Sequence, residues 1–197
     1  MKLKNLYDDL YINNYHKQFG FSHSKHLMRY IKEHNKEGDK ILDVGCSIGS
    51  AILLLENLKM DAHGIDISEV AINIAKKKFK NCKQGYAEEI PYEDNYFDAI
   101  LSTQVIEHLP PENIDKCFGE FKRVVKLNGL FYLQIGKKLE INRKWQNVVK
   151  KHGYRNLHLT VQSGKIWLNY FKEKNIQLVK ITKNNKLIIE VILKNLK

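Results

Sequence analysis

The sequence predicts a doubly wound α/β fold built on a mostly parallel, seven-stranded sheet. Three observations carry this. From Lys40 onward short apolar runs alternate with stretches of helical periodicity; the first run breaks into a glycine-punctuated turn, ILDVGCSIG at 41–49; and the chain closes on two apolar runs with no helix between them. Parallel strands each need a crossover, which helices supply on both faces, whereas two strands joined by a short turn run antiparallel. At 197 residues the chain fits a single domain, 1–197, able to bury a sizeable core. It divides into an N-terminal helical cap (1–38), an α/β core (39–136) and a tail of loop, helix and hairpin (137–197).

Taken in order, Tyr7, Tyr11, Tyr15 and Phe19 recur four apart and predict a helix over 3–19, its stripe either a lid or a packing face. A second helix covers 23–34 and stops at Gly38. Strands are expected at 41–44, 61–66, 81–85, 97–102 and 129–135, with helices at 48–58, 69–79 and 111–126, the last opening on prolines suited to a first turn. The stretch 137–160 reads as a basic, aromatic-dotted loop. A helix over 163–174 follows, and then IQLVKIT and KLIIEVILK form a hairpin about Asn184 and Asn185.

Net charge is +11. Lysines are spread through nearly every segment, so a solvated surface accounts for the charge at least as well as a nucleic-acid stripe does. Cys46, Cys82 and Cys117 are odd in number and in no metal-ligand spacing, which suggests neither a disulfide framework nor a metal site and fits a reducing cytoplasm. The first ten residues lack the apolar core of a signal peptide, and no run approaches the roughly 20 apolar residues of a membrane span. A soluble, cytoplasmic protein is expected.

Strand, tight loop and helix N-terminus at 41–50 form the geometry against which a nucleoside-containing cofactor docks. Asp43 brings a carboxylate to that loop, unsuited to a pyrophosphate and suited to an ammonium group. Against the dinucleotide pattern G-x-G-x-x-G, aligned on Gly45, Ser47 and Ser50 stand at the other two glycine positions, so a nicotinamide oxidoreductase fits badly. ILDVGCSIG resembles motif I, D-x-G-x-G-x-G, of the class I S-adenosylmethionine-dependent methyltransferases: Asp43, Gly45 and Gly49 match, and Ser47 replaces the middle glycine. The resemblance implies a Rossmann-like methyltransferase fold. It also implies S-adenosylmethionine as cofactor, S-adenosylhomocysteine as product, and cofactor contacts from Asp43, Gly45, Cys46, Ser47 and Gly49.

Three further segments extend the resemblance. HGIDIS places Asp66, followed by Ile67, about 20 residues beyond Gly45, where an acidic group accepts from ribose hydroxyls; as a helix cap Asp66 would compete with Ser68. QGYAEEIPYEDNYFDAI resembles the stretch after the third strand. There Tyr86 stands where the family has an aspartate that holds the adenine amino group, leaving Ala87 to offer its backbone N–H and Glu88 or the Tyr86 ring to supply the rest. ILSTQVIEHLPP resembles S-x-x-V-[LI]-E-H-[LV] and sets Thr103, Gln104, Glu107 and His108 at the carboxyl edge of the sheet.

His108 is the first candidate general base, since imidazole is neutral and accepting near neutral pH; the Glu107–His108 pair equally suits a loop-stabilising role. Gln104 stands where metal-using relatives carry a carboxylate, so no metal is expected. The segment from Asn156 resembles the tail of small-molecule and glycan methyltransferases and makes His158 a second candidate base.

These resemblances imply methyl transfer to a small-molecule oxygen, on a sugar, sugar nucleotide or other glycan-related metabolite, with 137–197 facing the acceptor. Arg143, Trp145, Tyr154 and Arg155 suit an anionic acceptor, and equally suit solvent. RNA methylation is an alternative prompted by the charge, although STQV replaces the (N/D)PP(Y/F) motif of exocyclic amine methylation. A non-catalytic cofactor-binding module is a third reading, motivated by Ser47 and Tyr86. The acceptor and the oligomeric state stay open.

Overall fold

The computed structural model describes residues 2–15, 22–138 and 145–197, with backbone alone at 22–25. Helices α1 (Lys2–Ile12) and α2 (Ser22–His34) precede an alternation of β1 (Lys40–Val44), α3 (Ser50–Asn57), β2 (Asp61–Asp66), α4 (Glu69–Ala75) and β3 (Cys82–Gln84). It continues with β4 (Phe97–Thr103), α5 (Ile114–Val124) and β5 (Val125–Gly136); α6 (Gln146–Lys151), α7 (Gly164–Glu173), β6 (Ile176–Asn184) and β7 (Ile188–Asn195) complete the chain. Phe19 and Arg143 lie outside the described residues.

The seven strands lie in the order β3-β2-β1-β4-β5-β7-β6. Pairs from β3 to β5 are parallel, and β7 runs antiparallel between β5 and β6. Successive side chains of a strand point to opposite faces, so each central strand feeds two cores. Leu42, Val44, Ile100, Phe131 and Leu133 pack with Phe118, Phe121, Trp167 and Phe171 of α5 and α7. Ile41, Ala99, Leu101 and Tyr132 pack on the other side with Ile31, Ile52, Leu55 and Ile72 of α2, α3 and α4. A third cluster joins Leu6 and Leu10 of α1 to Trp145, Val149 and Leu157.

Local chemistry sets the boundaries. Ser68 caps α4 by accepting from the Ala71 N–H, and Ser163 caps α7 through the Ile166 N–H. Asn185 accepts from the N–H groups of Leu187 and Ile188 and closes the β6–β7 hairpin. Two segments depart from expectation. Strand β5 begins at Val125 rather than at Gly129, because Val125 pairs with Phe97 ahead of a register shift; the expected Asn128–Gly129 turn survives as a kink, with Asn128 at φ 66°. The stretch read as a loop holds the short helix α6, whose Val149 is buried against α1.

Arg123 at the end of α5 pins the segment leading into β4. Its guanidinium donates to Glu120, to Asp94 Oδ1 at 2.8 Å, and to the carbonyls of Ile90 and Tyr92 at 2.9 and 2.8 Å. Hydrogen bonds involving a charged group contribute about 1.5–3 kcal/mol each when buried, and less when partly exposed as here. Arg123→Ala is therefore expected to lower stability in urea unfolding by about 1–3 kcal/mol; an unchanged midpoint would show that the fork orders nothing.

Candidate cofactor pocket

The crevice of an open α/β sheet lies where the strand order reverses, outside the carboxyl ends of the strands. Here that place is between β1 and β4, and the loops leaving them form its walls. The loop after β1 passes through positive φ at Gly45 (81°), Ser47 (53°) and Gly49 (90°). A Cβ on Gly45 would stand 2.2 Å from Val105 Cγ2, so only glycine lets this loop lie against the one after β4. Ser47 takes the left-handed conformation of the glycine it replaces, and its N–H donates to Asp66 Oδ2 at 2.9 Å. Asp66 Oδ1 accepts from the Ser68 N–H at the same distance, which leaves the helix cap to Ser68 itself.

These loops enclose a cavity of about 360 Å³. Asp43, Gly45, Cys46, Ser47, Asp66 and Ile67 line one side of it, and Ala87, Glu88, Thr103, Gln104, His108 and His158 the other. Three expected residues stand elsewhere. Gly49 begins α3 with its Cα against Phe79, whose ring a Cβ would meet at 2.4 Å. Tyr86 is absent from the cavity wall and bridges to Glu89. Glu107 is fully buried behind the wall: Oε1 accepts from the Gly136 N–H at 2.9 Å, and its carbonyl accepts from the N–H groups of Leu159 and Thr160 at 2.7 and 3.0 Å.

The sequence leaves the tyrosine stripe undecided between a lid and a packing face, and in the structure it borders the cavity and also packs against other elements. Tyr7, Tyr11 and Tyr15 line the cavity, while Tyr15 also packs edge-on against Trp145 at 5.4 Å. Helix α1 is clamped at both flanks. Asp8 Oδ1 accepts from Ser68 Oγ at 2.7 Å and from the Val70 N–H at 3.3 Å, and Asp9 pairs with Lys151 and His152 of the α6 end. Leu3, which no motif marked, and Val105 and Leu109, motif positions not expected to line a site, add apolar surface to the wall. The residues expected to favour an anionic acceptor stand apart from it: Trp145 is buried in the α1–α6 cluster, Tyr154 packs there, and Arg155 is exposed.

Electrostatics separate the two carboxylates from the two imidazoles. Burial, with the Asp66 charge adding to it, pushes Asp43 up to about 8. Asp66 is pushed to about 6 by burial against the pull of the Ser68 and Ser47 N–H groups. No donor among the described residues reaches the Asp43 carboxylate, so the cavity offers a buried acid that lacks a countercharge. That is the fit expected for a cationic ligand.

Burial and then the neighbouring His158 lower His108 to about 3, and burial lowers His158. Each imidazole donates Nδ1–H to a carbonyl, His108 to Leu157 at 3.0 Å and His158 to Lys138 at 2.5 Å, which puts the lone pair on Nε2 in both. The rings meet edge-on at 4.7 Å. Ligand atoms of Glu107, His108 and His158 lie within 4.8 Å of one another, an arrangement that could also hold a cation.

Residues 42–133, which carry the β1 loop, Asp66 and the β4 loop, match the family model of the methyltransferase domain. That segment is a methyltransferase domain of the class I S-adenosylmethionine-dependent kind. Among curated relatives of the chain, an uncharacterized protein of Methanocaldococcus jannaschii is 30% identical over 151 residues, 76% of this chain and 55% of that one. The sterol 24-C-methyltransferase of Schizosaccharomyces pombe is 29% identical over 154 residues, 64% of this chain and 40% of that one. The chain thus spans about half the length of the curated relatives it matches. A crystal structure from Pyrococcus horikoshii shares the fold, with a TM-score of 0.70 and 21% identity over 88% of this chain and 90% of the other.

The Asp43 acidity carries a stability consequence. A carboxyl whose folded value is about 8 against an ordinary 3.8 favours the folded state fully below the ordinary value and loses that contribution as pH rises through 8. The ligand-free Asp43→Asn variant is therefore expected to melt above the parent at pH 8, with the gap closing towards pH 5. Identical melting curves at pH 8 would show that Asp43 carries no such strain.

Proposed function

We propose that the protein transfers the methyl group of S-adenosylmethionine to an oxygen nucleophile of a neutral small molecule. The observation that carries this reading is the buried Asp43 carboxylate, without a donor among the described residues, beside a glycine-bent loop in a 360 Å³ cavity. When bound, S-adenosylmethionine supplies an electrophilic methyl on a sulfonium. In this reading Asp43 meets the ammonium directly or through water, a charge-assisted contact. Asp66 accepts from the ribose hydroxyls, and the Ala87 N–H and Glu88 carboxylate face the adenine. Because Tyr86 is not on the cavity wall, the adenine contact passes to these two.

What remains for the chain is to align the acceptor, exclude water and take one proton. Helix α1, clamped at Asp8 and Asp9, covers the cavity with its tyrosines. His108, lowered to about 3, is a weak proton acceptor suited to orienting a hydroxyl through Nε2. His158, lowered by burial with no neighbouring imidazole among the causes, is the base in this reading. No lysine or arginine among the described residues lines the cavity, and Leu3, Val105, Leu109 and the tyrosines surround it; that favours a neutral, largely apolar acceptor over the sugar nucleotide expected from sequence. A relative named for a sterol substrate agrees with such walls.

Calorimetry with S-adenosylhomocysteine tests the cofactor, and labelled S-adenosylmethionine with neutral phenols, alcohols and sugar nucleotides tests the acceptor. Binding that Asp66→Ala weakens by about 1–3 kcal/mol, with turnover confined to the neutral compounds, is the expected outcome. His158→Ala should lower kcat by about 100-fold while leaving cofactor affinity intact. A parent protein that does not bind S-adenosylhomocysteine overturns the reading.

A further inference from the structure

Behind the cavity a chain of polar side chains crosses the sheet. Gln104 follows β4 with φ at 58°, and its N–H donates to the Gln134 carbonyl at 2.9 Å. Its side-chain Nε2 donates to Gln134 Oε1 at 3.2 Å. Gln134, buried in β5, donates Nε2 to Glu190 Oε2 at 2.8 Å. Glu190 in β7 is fully buried, and its Oε1 also accepts from Thr182 Oγ1 and His26 Nδ1.

A carboxylate only accepts, whereas a carboxamide has one accepting and one donating end. Glu190 therefore turns the Gln134 amino end towards itself and the Gln134 oxygen towards Gln104. That oxygen draws in the Gln104 amino end, which leaves Gln104 Oε1 as the atom its side chain offers to the cavity it lines. Without Glu190 both amides are free to reverse, and the cavity would then meet an amino group where it now meets an oxygen.

We infer that Glu190 is a positioning residue: through Gln134 it sets the polarity of Gln104, so that the cavity presents an oxygen acceptor to the α-ammonium of the cofactor's amino-acid tail. This rests on the cofactor assignment above and extends it to residues no motif marks. Thr182 and His26 saturate the remaining carboxylate oxygen and anchor the device to β6 and α2. The residues concerned come from three strands, the position that follows a fourth, and helix α2, which holds the relay still relative to the sheet.

The test compares two ligands. S-Adenosylhomocysteine carries the amino-acid tail, and 5′-methylthioadenosine keeps the nucleoside and thioether without it. Glu190→Met is expected to weaken S-adenosylhomocysteine about 10-fold, the value of a hydrogen bond to a charged group, and to leave 5′-methylthioadenosine within about twofold. Gln134→Met should reproduce that selective loss and carries the test if Glu190→Met does not fold. Combining the two should add nothing further, since they break one chain. Glu190→Gln, which can still turn an oxygen to Gln134, should restore most of the affinity.

Equal weakening of both ligands would mark a merely structural role and overturn the inference, as would unchanged binding of S-adenosylhomocysteine in Gln134→Met. Failure of the parent to bind either ligand would instead remove the cofactor assignment.

Discussion

The structure is organised around a buried acid that none of the described residues provides with a countercharge. Asp43 and Asp66 sit at the carboxyl ends of β1 and β2, each under a tenth exposed, and burial raises the pKa of both. Asp66 has two backbone N–H groups to hold it, and Asp43 has the wall of a cavity. A carboxylate in such a place either stays protonated or receives a cation from outside. The fold supplies the room: the reversal of strand order between β1 and β4 opens the crevice, and Gly45, pressed on Val105, lets the loops after those two strands lie against each other.

Strands β1 and β4 were legible because they are buried on both faces and read as short, mostly apolar runs. Helix α6 was not. It is six residues long and buries little beyond Val149, too short for a 3.6-residue period to stand out from a basic loop. The start of β5 was misplaced for a related reason: Asn128–Gly129 reads as a turn and is one locally, yet the strand pairs on both sides of it. Turn chemistry reports a backbone conformation and is silent about whether the ladder resumes beyond it.

The site was legible where one local motif contributes both backbone and side chain. The loop at Gly45 and Ser47, with Asp66 receiving the Ser47 N–H, is such a case. Its remaining walls come from contacts across long sequence separations. Whether the Tyr7–Tyr11–Tyr15 stripe faces a ligand or a helix depends on Asp8 reaching Ser68 and Asp9 reaching Lys151, neither of which any periodicity encodes. Basic and aromatic residues after Lys137 suggested an anionic acceptor by composition. Trp145 instead props α1 over the cavity, a role set by packing against Leu6, Leu10 and Tyr15.

The two histidines show how the same burial that strains the carboxylates shapes the acceptor side. In water an imidazole near its ordinary value is half charged around pH 6.5, and two of them 4.7 Å apart beside a cavity would repel. Burial keeps both neutral, with the neighbouring His158 adding to it at His108, and the Leu157 and Lys138 carbonyls fix each with its lone pair on Nε2. Glu107, tied to Gly136 and to the 157–160 segment, holds the two loops that carry them at that separation. The cavity is thus polarised along its length, with uncompensated acid at the cofactor loop and neutral acceptors at the far wall. A cation is drawn to one end, and an uncharged hydroxyl can be met at the other without bringing a second charge into a site that already carries too much.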